Sequence, residues 1–401
     1  MHLADLHLGK RVNEFSMLED QKYVLDQVLQ WIDEEGIEGL LIAGDIYDRQ
    51  VPSVEAVRLL DDFLTQVSRL QVPVYMIGGN HDSAVRISFG ARLLARSGVH
   101  MAPEYDGTVE KITVEDAFGL IDLYLLPFLR PAQVRACWQE EAEWVHTYQD
   151  AVSFVLDRVE RNEEHRSILL AHQFVTGAAV CDSEEHVVGG LDQIDVSCLG
   201  GFDYVALGHL HGPQRVGRDT VRYAGTLLKY SFSEVAQKKS AVIVELREKG
   251  KILIDTRPVR PLHEMRIIRG SYEEVTCRRN YENTDTKDYV GIILTDEEDI
   301  FDAVSRLRAI YPNLMKLGYD NARTRQDQTI AAPAAVQKKG PMELSEELFM
   351  LQNNRPMSEQ QKEYLGRLIS EVWGRQEKEG TPCSRYYLPC RHSDRMPGRR
   401  K

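Results

Sequence analysis

Histidine, aspartate and asparagine residues follow five short apolar runs in the first half of the chain. In chain order they are Asp5 and His7, Asp45 and Asp48, Asn80, His81 and Asp82, His172, and His209 and His211. Their carboxylate, imidazole and amide groups, with no thiolate among them, suit borderline-hard divalent ions such as Mn²⁺ rather than structural zinc. Seven ligands drawn from these ten residues would exceed the needs of one ion, so we expect two ions that share a carboxylate.

A pair of ions of this kind would act on phosphate esters. Two metals about 3.5–4 Å apart hold the attacking and leaving oxygens of an in-line displacement at phosphorus. A histidine beside them that is not a ligand could protonate the leaving alkoxide. Each residue alone has a structural explanation, since Gly-Asp is usually a turn and a histidine after a strand usually lies in the core or at the surface. Five strand ends that carry such residues together favour a site.

Alternating strand-like and helix-like segments would position these residues. The runs "GLLIAGD", "VPVYMIGGNHD", "SILLAH" and "DYVALGH" predict strands, and "SMLEDQKYVLDQVLQWIDEEG" and "SVEAVRLLDDFLTQVSRL" predict helices. Ser16 and Glu19 have capping-box spacing. We also expect a long helical stretch over about residues 131–161 and an antiparallel pair of "SAVIVEL" and "KILID". The carboxyl ends of strands gather at one edge of such sheets, so the polar residues should meet there.

Composition restricts the class of protein. A chain of 401 residues with a net charge of −13 is long enough for two or three domains and unsuited to nonspecific adhesion to nucleic acid. A nucleic-acid substrate is not excluded, because bound cations reverse the local sign and a partner subunit could supply basic surface. The sequence has no apolar run of membrane-spanning length, no signal-peptide pattern and no CxxC pair among its six cysteines. We therefore expect a cytoplasmic protein with free thiols and no membrane partner.

Five motifs within residues 1–211 together resemble the calcineurin-like metallophosphoesterase superfamily. They are D-x-H, G-D-x-x-D, G-N-H-D, a lone histidine and G-H-x-H, in that order. Six longer stretches narrow the resemblance to the SbcD family, the nuclease subunits of bacterial SbcCD complexes. They are "DLHLGK", "FSMLEDQ", "AGDIYDR", "GNHDS", "LGHLHGPQ" and "YAGTLLKYSFSE". The resemblance covers about residues 1–375 and implies a metal-dependent phosphodiesterase.

The resemblance also implies a role for each site residue. One Mn²⁺ would be held by Asp5, His7 and His211, and the other by Asn80, His172 and His209. Asp45 would bridge the two ions, for which Mg²⁺ is an alternative. His81 would stabilise the transition state or act as the general acid, and Asp48 would handle substrate or orient other groups. Asp82 would brace His81 or its loop, whereas "YAGTLLKYSFSE" contains no residue with chemistry that we can assign.

The implied fold is an α/β two-sheet metallophosphoesterase sandwich flanked by helices, with smaller parts after it. We expect a nuclease domain over residues 1–257, a small α/β DNA-capping domain over 258–328, a linker over 329–343, helices that bind an ATPase partner over 344–375, and a disordered tail over 376–401. The last stretch is basic and rich in turn residues, without periodicity.

The partner implied for the C-terminal helices is an SbcC-type ATPase of the SMC class. The candidate anchors are Phe349, Leu365, Leu368, Ile369, Val372 and Trp373. Helices with apolar faces more often pack on their own domain, but the linker before them favours a partner. The family also forms homodimers, so we expect a homodimer within a heterotetramer that acts on DNA.

The favoured function is an Mn²⁺-dependent DNA nuclease of repair, recombination and replication. It would degrade duplex ends as an exonuclease and cut single strands or hairpins as an endonuclease. One alternative is a phosphoesterase for nucleotides or phosphoproteins, which would need neither the second domain nor the partner helices. Another is a non-catalytic scaffold subunit, which the complete ligand set disfavours.

The first strand departs from the family pattern. Only four residues, "MHLA", precede Asp5, whereas family members usually have a longer strand there. We therefore expect a frayed first strand and weaker binding of the ion that Asp5 and His7 would hold.

Overall fold

The computed structural model describes residues 1–184, 192–322, 324, 342, 345–346, 348–350 and 356–376, of which 370–376 as backbone only. The predicted linker and tail, residues 329–343 and 376–401, lie outside the described residues except for 342 and 376. The chain divides into two compact units, one of Met1–Leu294 and Ile300–Gly318 and a second of Thr295–Asp299 and Tyr319–Lys401. The predicted boundary between residues 257 and 258 stays a prediction.

The strands begin with a series of mostly short segments. The first nine are β1 His2–Leu3, β2 Arg11–Val12, β3 Phe15–Ser16, β4 Leu40–Ala43, β5 Val74–Ile77, β6 Val99–Ala102, β7 Glu110–Asp116, β8 Gly119–Leu126 and β9 Arg166–His172. The others are β10 Phe174–Val175, β11 Gln193–Ile194, β12 Tyr204–Gly208, β13 Gln214–Val216, β14 Arg218–Tyr223, β15 Ser240–Leu246, β16 Ile252–Pro258, β17 Met265–Gly270, β18 Tyr289–Leu294 and β19 Leu314–Tyr319.

The helices fall between these strands and after them. They are α1 Leu18–Glu34, α2 Val54–Arg69, α3 Ala84–Ile87, α4 Ala91–Leu94, α5 Pro131–Trp138, α6 Tyr148–Leu156, α7 Tyr272–Thr276, α8 Arg278–Tyr281, α9 Ala303–Arg308 and α10 Glu359–Gln376. Within the described part of the chain, none of the helices combines the length and apolar character that a membrane crossing needs.

Two six-stranded sheets form the body of the first unit. One has the order β16-β15-β1-β4-β5-β6, and the other has the order β13-β14-β12-β9-β8-β7. In the first, β1, β4, β5 and β6 are parallel, and in the second, β8, β9, β12 and β14 are parallel. The predicted antiparallel pair is confirmed as β15 and β16.

Alternate residues of the buried strands supply different cores. Leu41 of β4 packs between the sheets with Leu125 of β8 and Leu170 of β9. Its neighbour Ile42 points the other way, into the core formed with helices α1 and α2. A strand covered on both faces reads as a continuous apolar run, which explains "LLIA" in β4. The layers confirm the predicted two-sheet sandwich flanked by helices.

The first strand is short but not frayed. β1 has two residues and lies between β15 and β4 in its sheet. His2 pairs with Val242 on one side and Leu41 on the other, and it is fully buried. The N–H of Asp5 then donates to the carbonyl of Gly44 at 3.1 Å. Because neighbours hold the strand on both sides, the prediction of fraying is wrong, and the weaker metal binding predicted with it loses its structural reason.

Two helix predictions are also wrong. The stretch predicted as one long helix ends at Trp138, because Gln139 has φ 47° and ψ −118°, and α6 starts again after the cap residue Thr147. At α1, the cap residue is Met17 and no side chain caps the helix, so Ser16 forms no capping box.

A smaller sheet of order β17-β18-β19 follows the sandwich in the chain. β17 and β18 are parallel, and the capping box of Ser271 and Glu274 starts α7 after β17. Asp20 of α1 joins this part to the sandwich, since its buried carboxylate accepts hydrogen bonds from the His263 N–H at 3.0 Å and the Tyr289 hydroxyl at 2.7 Å. Helix α7 and the parallel strands give this part of the chain an α/β composition, and its role as a separate domain over residues 258–328 stays a prediction.

Candidate metal centre

The candidate ligands lie at the carboxyl ends of five strands. Asp5 follows β1, Asp45 follows β4, Asn80 follows β5, His172 ends β9 and His209 follows β12. Strands β1, β4 and β5 are parallel neighbours in one sheet, and β9 and β12 are parallel neighbours in the other. The two sheets face each other, so these ends meet at one edge of the sandwich. The expected gathering of polar residues is confirmed.

His7 and His211 point their ring nitrogens at each other. Their Nε2 atoms are 3.0 Å apart, and His7 Nε2 is 3.7 Å from Asp45 Oδ2. Asp5 Oδ1 accepts a hydrogen bond from the His209 N–H at 2.9 Å. Asp5 Oδ2 and His7 Nδ1 are buried without a hydrogen-bond partner among the described residues.

Asn80, His172 and His209 form a second group of donors. Asn80 Oδ1 lies 3.1 Å from His172 Nε2 and 3.0 Å from His209 Nδ1. His172 Nε2 is also 3.4 Å from Asp45 Oδ2. The other nitrogen of His172, Nδ1, lies 2.8 Å from the carbonyl oxygen of Ala43. A carbonyl only accepts, so Nδ1 carries the hydrogen and Nε2 faces Asn80 and Asp45.

The donor set fits two divalent ions. Asp45 belongs to two clusters whose ligand atoms lie within 4.8 Å of one another, His7–Asp45–His81 and Asp5–Asp45–His172. The second cluster pairs Asp5 with His172, whereas the family resemblance assigns Asp5 to the ion of His7. His172 Nδ1 lies 3.9 Å from Asp5 Oδ1, and that nitrogen already donates to the Ala43 carbonyl. Asp5 Oδ1 already accepts a hydrogen bond, so the unpartnered Asp5 Oδ2 is the better ligand atom of this carboxylate. Asp5 and His172 therefore do not have to bind the same ion.

Burial keeps most of the imidazoles neutral. Burial lowers the pKa of His7 and His209 to about 3. Burial alone would raise the pKa of Asp45, but the charge of the adjacent His172 holds it well below the ordinary value. Burial would lower the pKa of His172, but Asp45 raises it to about 9. A proton on His172 thus balances the Asp45 carboxylate, and a metal ion would take the place of that proton.

His81 lies beside the ligands and is half-buried. Its N–H donates to Asp45 Oδ1 at 3.0 Å, and its ring Nδ1 is 3.1 Å from the carbonyl oxygen of Asp48. Ring Nε2 faces the centre, 3.9 Å from Asp45 Oδ2. The Asp48 carboxylate instead accepts a hydrogen bond from Lys10 Nζ at 2.7 Å.

Asp82 braces the loop that carries Asn80 and His81. Its carboxylate accepts hydrogen bonds from the N–H groups of Ile46 and Tyr47, both at 3.0 Å, and of Gly79 at 2.9 Å. These contacts join the loops after β4 and β5, which confirms the expected role of Asp82.

Strained backbone places several of the candidate ligands. Non-glycine residues with positive φ include Asp5 at 52°, His7 at 44°, Asp45 at 47° and His209 at 103°. Such angles cost of order 1–3 kcal/mol each and persist where surrounding structure imposes them, often at functional sites. Close packing adds to the constraint, because a Cβ on Gly79 would lie 2.1 Å from Asp45 Oδ1.

Two stretches without an assigned role surround the centre. From "FSMLEDQ", Gln21 Nε2 donates to the His7 carbonyl at 2.8 Å and to the Tyr230 hydroxyl at 2.9 Å. From "YAGTLLKYSFSE", Tyr230 donates to the Leu6 carbonyl at 2.9 Å, and Glu234 forms a buried ion pair with Lys239. The residue types alone do not predict that these residues contact the centre. The available signal is the length of the two family-like stretches, which exceeds what the candidate ligands require.

The predicted partner-binding residues belong to the second unit. Leu368 on α10 is exposed, Phe349, Leu365 and Ile369 are half-buried, and the side chains of Val372 and Trp373 lie outside the described residues.

Comparison with known proteins identifies the family. Residues 1–213 match the calcineurin-like phosphoesterases, and residues 261–353 match the family described as the type 5 capsule protein repressor C-terminal domain. The SbcD subunit of nuclease SbcCD from Staphylococcus epidermidis is 29% identical over 384 residues, which are 94% of this chain and 99% of that protein. The protein of the same name from Staphylococcus saprophyticus is 31% identical over 321 residues, 79% of this chain and 83% of its own.

A solved dimetal phosphatase from Danio rerio covers 64% of this chain and 95% of its own at 14% identity, with a TM-score of 0.37 that adds no support. The sequence matches are sufficient by themselves. With one family match over more than half of its length and a relative 31% identical over 321 residues, the chain belongs to the calcineurin-like phosphoesterases and, among them, to the SbcD family.

Proposed function

We propose that this chain is the nuclease subunit of an SbcCD-type complex and hydrolyses DNA phosphodiester bonds at the centre described above. The observation that carries the proposal is the position of Asp45 between two groups of buried donors, His7 on one side and His172 on the other. A shared carboxylate between two ligand sets is what two-metal phosphodiester hydrolysis requires. The names of the two Staphylococcus relatives support DNA cleavage as the reaction.

We assign the ligands as the family resemblance implies. One Mn²⁺ would be held by Asp5, His7 and His211, the other by Asn80, His172 and His209, and Asp45 would serve both. When bound, the ions would hold the attacking and leaving oxygens and neutralise charge on the phosphate. The absence of thiolates from the set favours Mn²⁺, with Mg²⁺ as the alternative.

His81 is the proposed general acid or transition-state stabiliser. Because the Asp48 carbonyl can only accept, the hydrogen on His81 Nδ1 points to it, and Nε2 faces the site. A proton on Nε2 is then placed for transfer to the leaving alkoxide. Asp48 acts through His81 in this proposal, as a positioning residue whose carboxylate is held by Lys10.

DNA and an SbcC-type ATPase are the proposed macromolecular partners. The named relatives are subunits of SbcCD, which supports the same assembly for this chain. The small α/β domain would cap the DNA, and the helices of residues 344–375 would bind the ATPase. Tyr364 and Leu368, four residues apart on α10, are 63% and 40% exposed, which gives that helix an apolar stripe available to a partner.

A homodimer has a candidate surface on the nuclease domain. Val85, Phe89 and Leu93 follow the Asp82 loop at intervals of four residues and are 81%, 87% and 71% exposed. The three side chains lie within nine residues of chain, and exposed apolar patches mark interaction sites. We propose that a second copy covers them, so light scattering should give a dimer mass for the wild type and a monomer mass for Phe89→Asp.

The proposed types of DNA cleavage are those that the family resemblance implies. We propose exonuclease action on duplex ends and endonuclease action on single strands and hairpins, in cytoplasmic DNA repair, recombination and replication. The cysteines in the described residues, Cys137, Cys181, Cys198 and Cys277, are free thiols, which suits a reducing compartment.

The test combines substrates with a matched variant. The purified chain with Mn²⁺, with and without its ATPase partner, is offered blunt duplex DNA, hairpin DNA and a small phosphodiester. We expect cleavage of both DNAs and its loss in His81→Ala, while Mn²⁺ uptake persists. Cleavage of the small ester alone would favour a general phosphoesterase, no cleavage at all would favour a scaffold subunit, and full activity of His81→Ala would refute the role of His81.

A further inference from the structure

We propose that Ser183, Glu234 and Lys239 position His211 and set the affinity of one metal site without binding the metal themselves. The proposal rests on the proposed function only in taking His211 as a ligand. It gives a role to the stretch "YAGTLLKYSFSE", which ends at Glu234.

A chain of short hydrogen bonds connects the three residues to the His211 ring. Lys239 Nζ donates to Glu234 Oε2 at 2.5 Å, and the Ser183 hydroxyl lies 2.6 Å from Glu234 Oε1. The same hydroxyl oxygen is 2.7 Å from His211 Nδ1. Glu234, Lys239 and His211 are buried and Ser183 is half-buried, so the Glu234–Lys239 pair is shielded from water and the Ser183 hydroxyl is partly shielded.

The hydrogens available on each side chain determine which group donates in every hydrogen bond from Lys239 to His211. Glu234, paired with the Lys239 ammonium, is a carboxylate and can only accept. The single hydrogen of Ser183 therefore goes to Glu234, and its oxygen must accept from His211 Nδ1–H. A neutral imidazole with hydrogen on Nδ1 has its lone pair on Nε2, the atom that faces His7. These hydrogen bonds thus select the tautomer of His211 whose Nε2 can bind a metal ion together with His7 Nε2.

Lys239 and Glu184 fix the backbone of His211. Lys239 Nζ donates to the His211 carbonyl at 2.8 Å and to Thr226 Oγ1 at 2.8 Å. The His211 N–H donates to Glu184 Oε1 at 2.5 Å. Ring and peptide are therefore both held, so the Nε2 atom has little freedom to leave the position that it shares with His7.

The other group of ligands is oriented by different contacts. His172 owes its tautomer to the Ala43 carbonyl, and Asn80 is held by His172 and His209. Loss of the Ser183 hydroxyl would therefore affect one site and spare the other. One proposed ligand of the Asp5 and His7 site, His211, is thus anchored through residues far along the chain.

The experiment is a calorimetric titration of the chelator-stripped full chain with MnCl₂. In Ser183→Ala we expect one of two Mn²⁺ sites to weaken about 10–100-fold, the usual effect of losing a hydrogen bond behind a metal-binding histidine. The other site should keep its wild-type affinity. Ser183→Thr retains the hydroxyl and should restore the weak site to within about threefold of wild type. Glu234→Gln should reproduce the defect, and apo-state circular dichroism checks that each variant is folded.

Glu264→Gln is the matched control, because Glu264 pairs with Lys229 of the same stretch at 2.7 Å but does not contact His211. It should bind both ions as the wild type does. Unchanged affinities in folded Ser183→Ala, or equal weakening of both sites, would overturn the proposal. A wild type that takes up fewer than two ions would overturn it together with the ligand assignment. If the wild type binds two ions but cuts no DNA, the proposed function fails. The role of Ser183, Glu234 and Lys239 then still stands or falls with the Mn²⁺ affinities of the variants.

Discussion

Acid should destabilise this fold partly through one buried histidine that the proposed chemistry does not use. His2 lies in the central strand β1, fully buried, with Nδ1 2.9 Å from the hydroxyl of Tyr204. Burial lowers its pKa from 6.5 to about 3. In the folded chain the ring is therefore neutral, whereas the unfolded chain takes up a proton on the ring near pH 6.5.

The sign of the effect follows from the proton balance. The contribution of His2 is complete above pH 6.5 and is lost as the pH falls from 6.5 towards 3, because only the unfolded state is protonated in that range. At about pH 4.5 the pH is about two units below the pKa of His2 in the unfolded chain. Protonation of the unfolded state then lowers the free energy of unfolding by about 3 kcal/mol.

Urea unfolding followed by circular dichroism measures this loss. We compare wild type with His2→Asn at about pH 8 and about pH 4.5, with chelator present so that pH-dependent metal binding does not contribute. Other buried histidines lower the stability of both proteins in acid, so the difference between the two losses isolates His2. The wild type should lose about 3 kcal/mol more than the variant. Equal losses would refute the account of His2 as a buried neutral ring.

Two further substitutions test packing at the centre and at the link to the small sheet. Gly79→Ala places a Cβ 2.1 Å from Asp45 Oδ1, so calorimetry should show that Mn²⁺ binding weakens at least about 10-fold. Gly318→Ala is the control, because a Cβ there meets open space. Wild-type affinity in Gly79→Ala would contradict the reasoning. Asp20→Asn leaves the donors of His263 and Tyr289 without a carboxylate, so urea unfolding should show a loss of about 2–3 kcal/mol. The exposed Asp26→Asn should cost less than about 0.5 kcal/mol, and equal costs would contradict the role of the buried link.

The candidate site was largely predictable from the sequence, because its candidate ligands follow strand ends. Parallel strands bring their carboxyl ends to one edge whatever lies between them, so Asp5, Asp45 and His209 could be placed together before any distance was known. The backbone conformation was not predictable in the same way. Aspartate adopts a positive φ more often than most residues, but the residue type alone does not predict which aspartate does so, and the surroundings of Asp45 impose it.

The failures have a common physical origin in contacts distant along the chain. β1 is stable at two residues because Val242 pairs with it from far along the sequence. The helix predicted over residues 131–161 breaks at Gln139, whose side chain has no breaking tendency of its own. The residues behind His211, such as Ser183 and Glu234, are common polar types that acquire a role only through their neighbours. The family resemblance marks "YAGTLLKYSFSE" as family-like but gives none of its residues a role.

The central claim is a pair of ions bridged by Asp45. Diffraction from crystals grown with Mn²⁺, measured at the manganese absorption edge, locates the ions directly. We predict two anomalous peaks about 3.5–4 Å apart, one beside His7 and His211 and one beside His172 and His209, with the Asp45 carboxylate between them. A single peak, or two peaks of which only one contacts Asp45, would contradict the account.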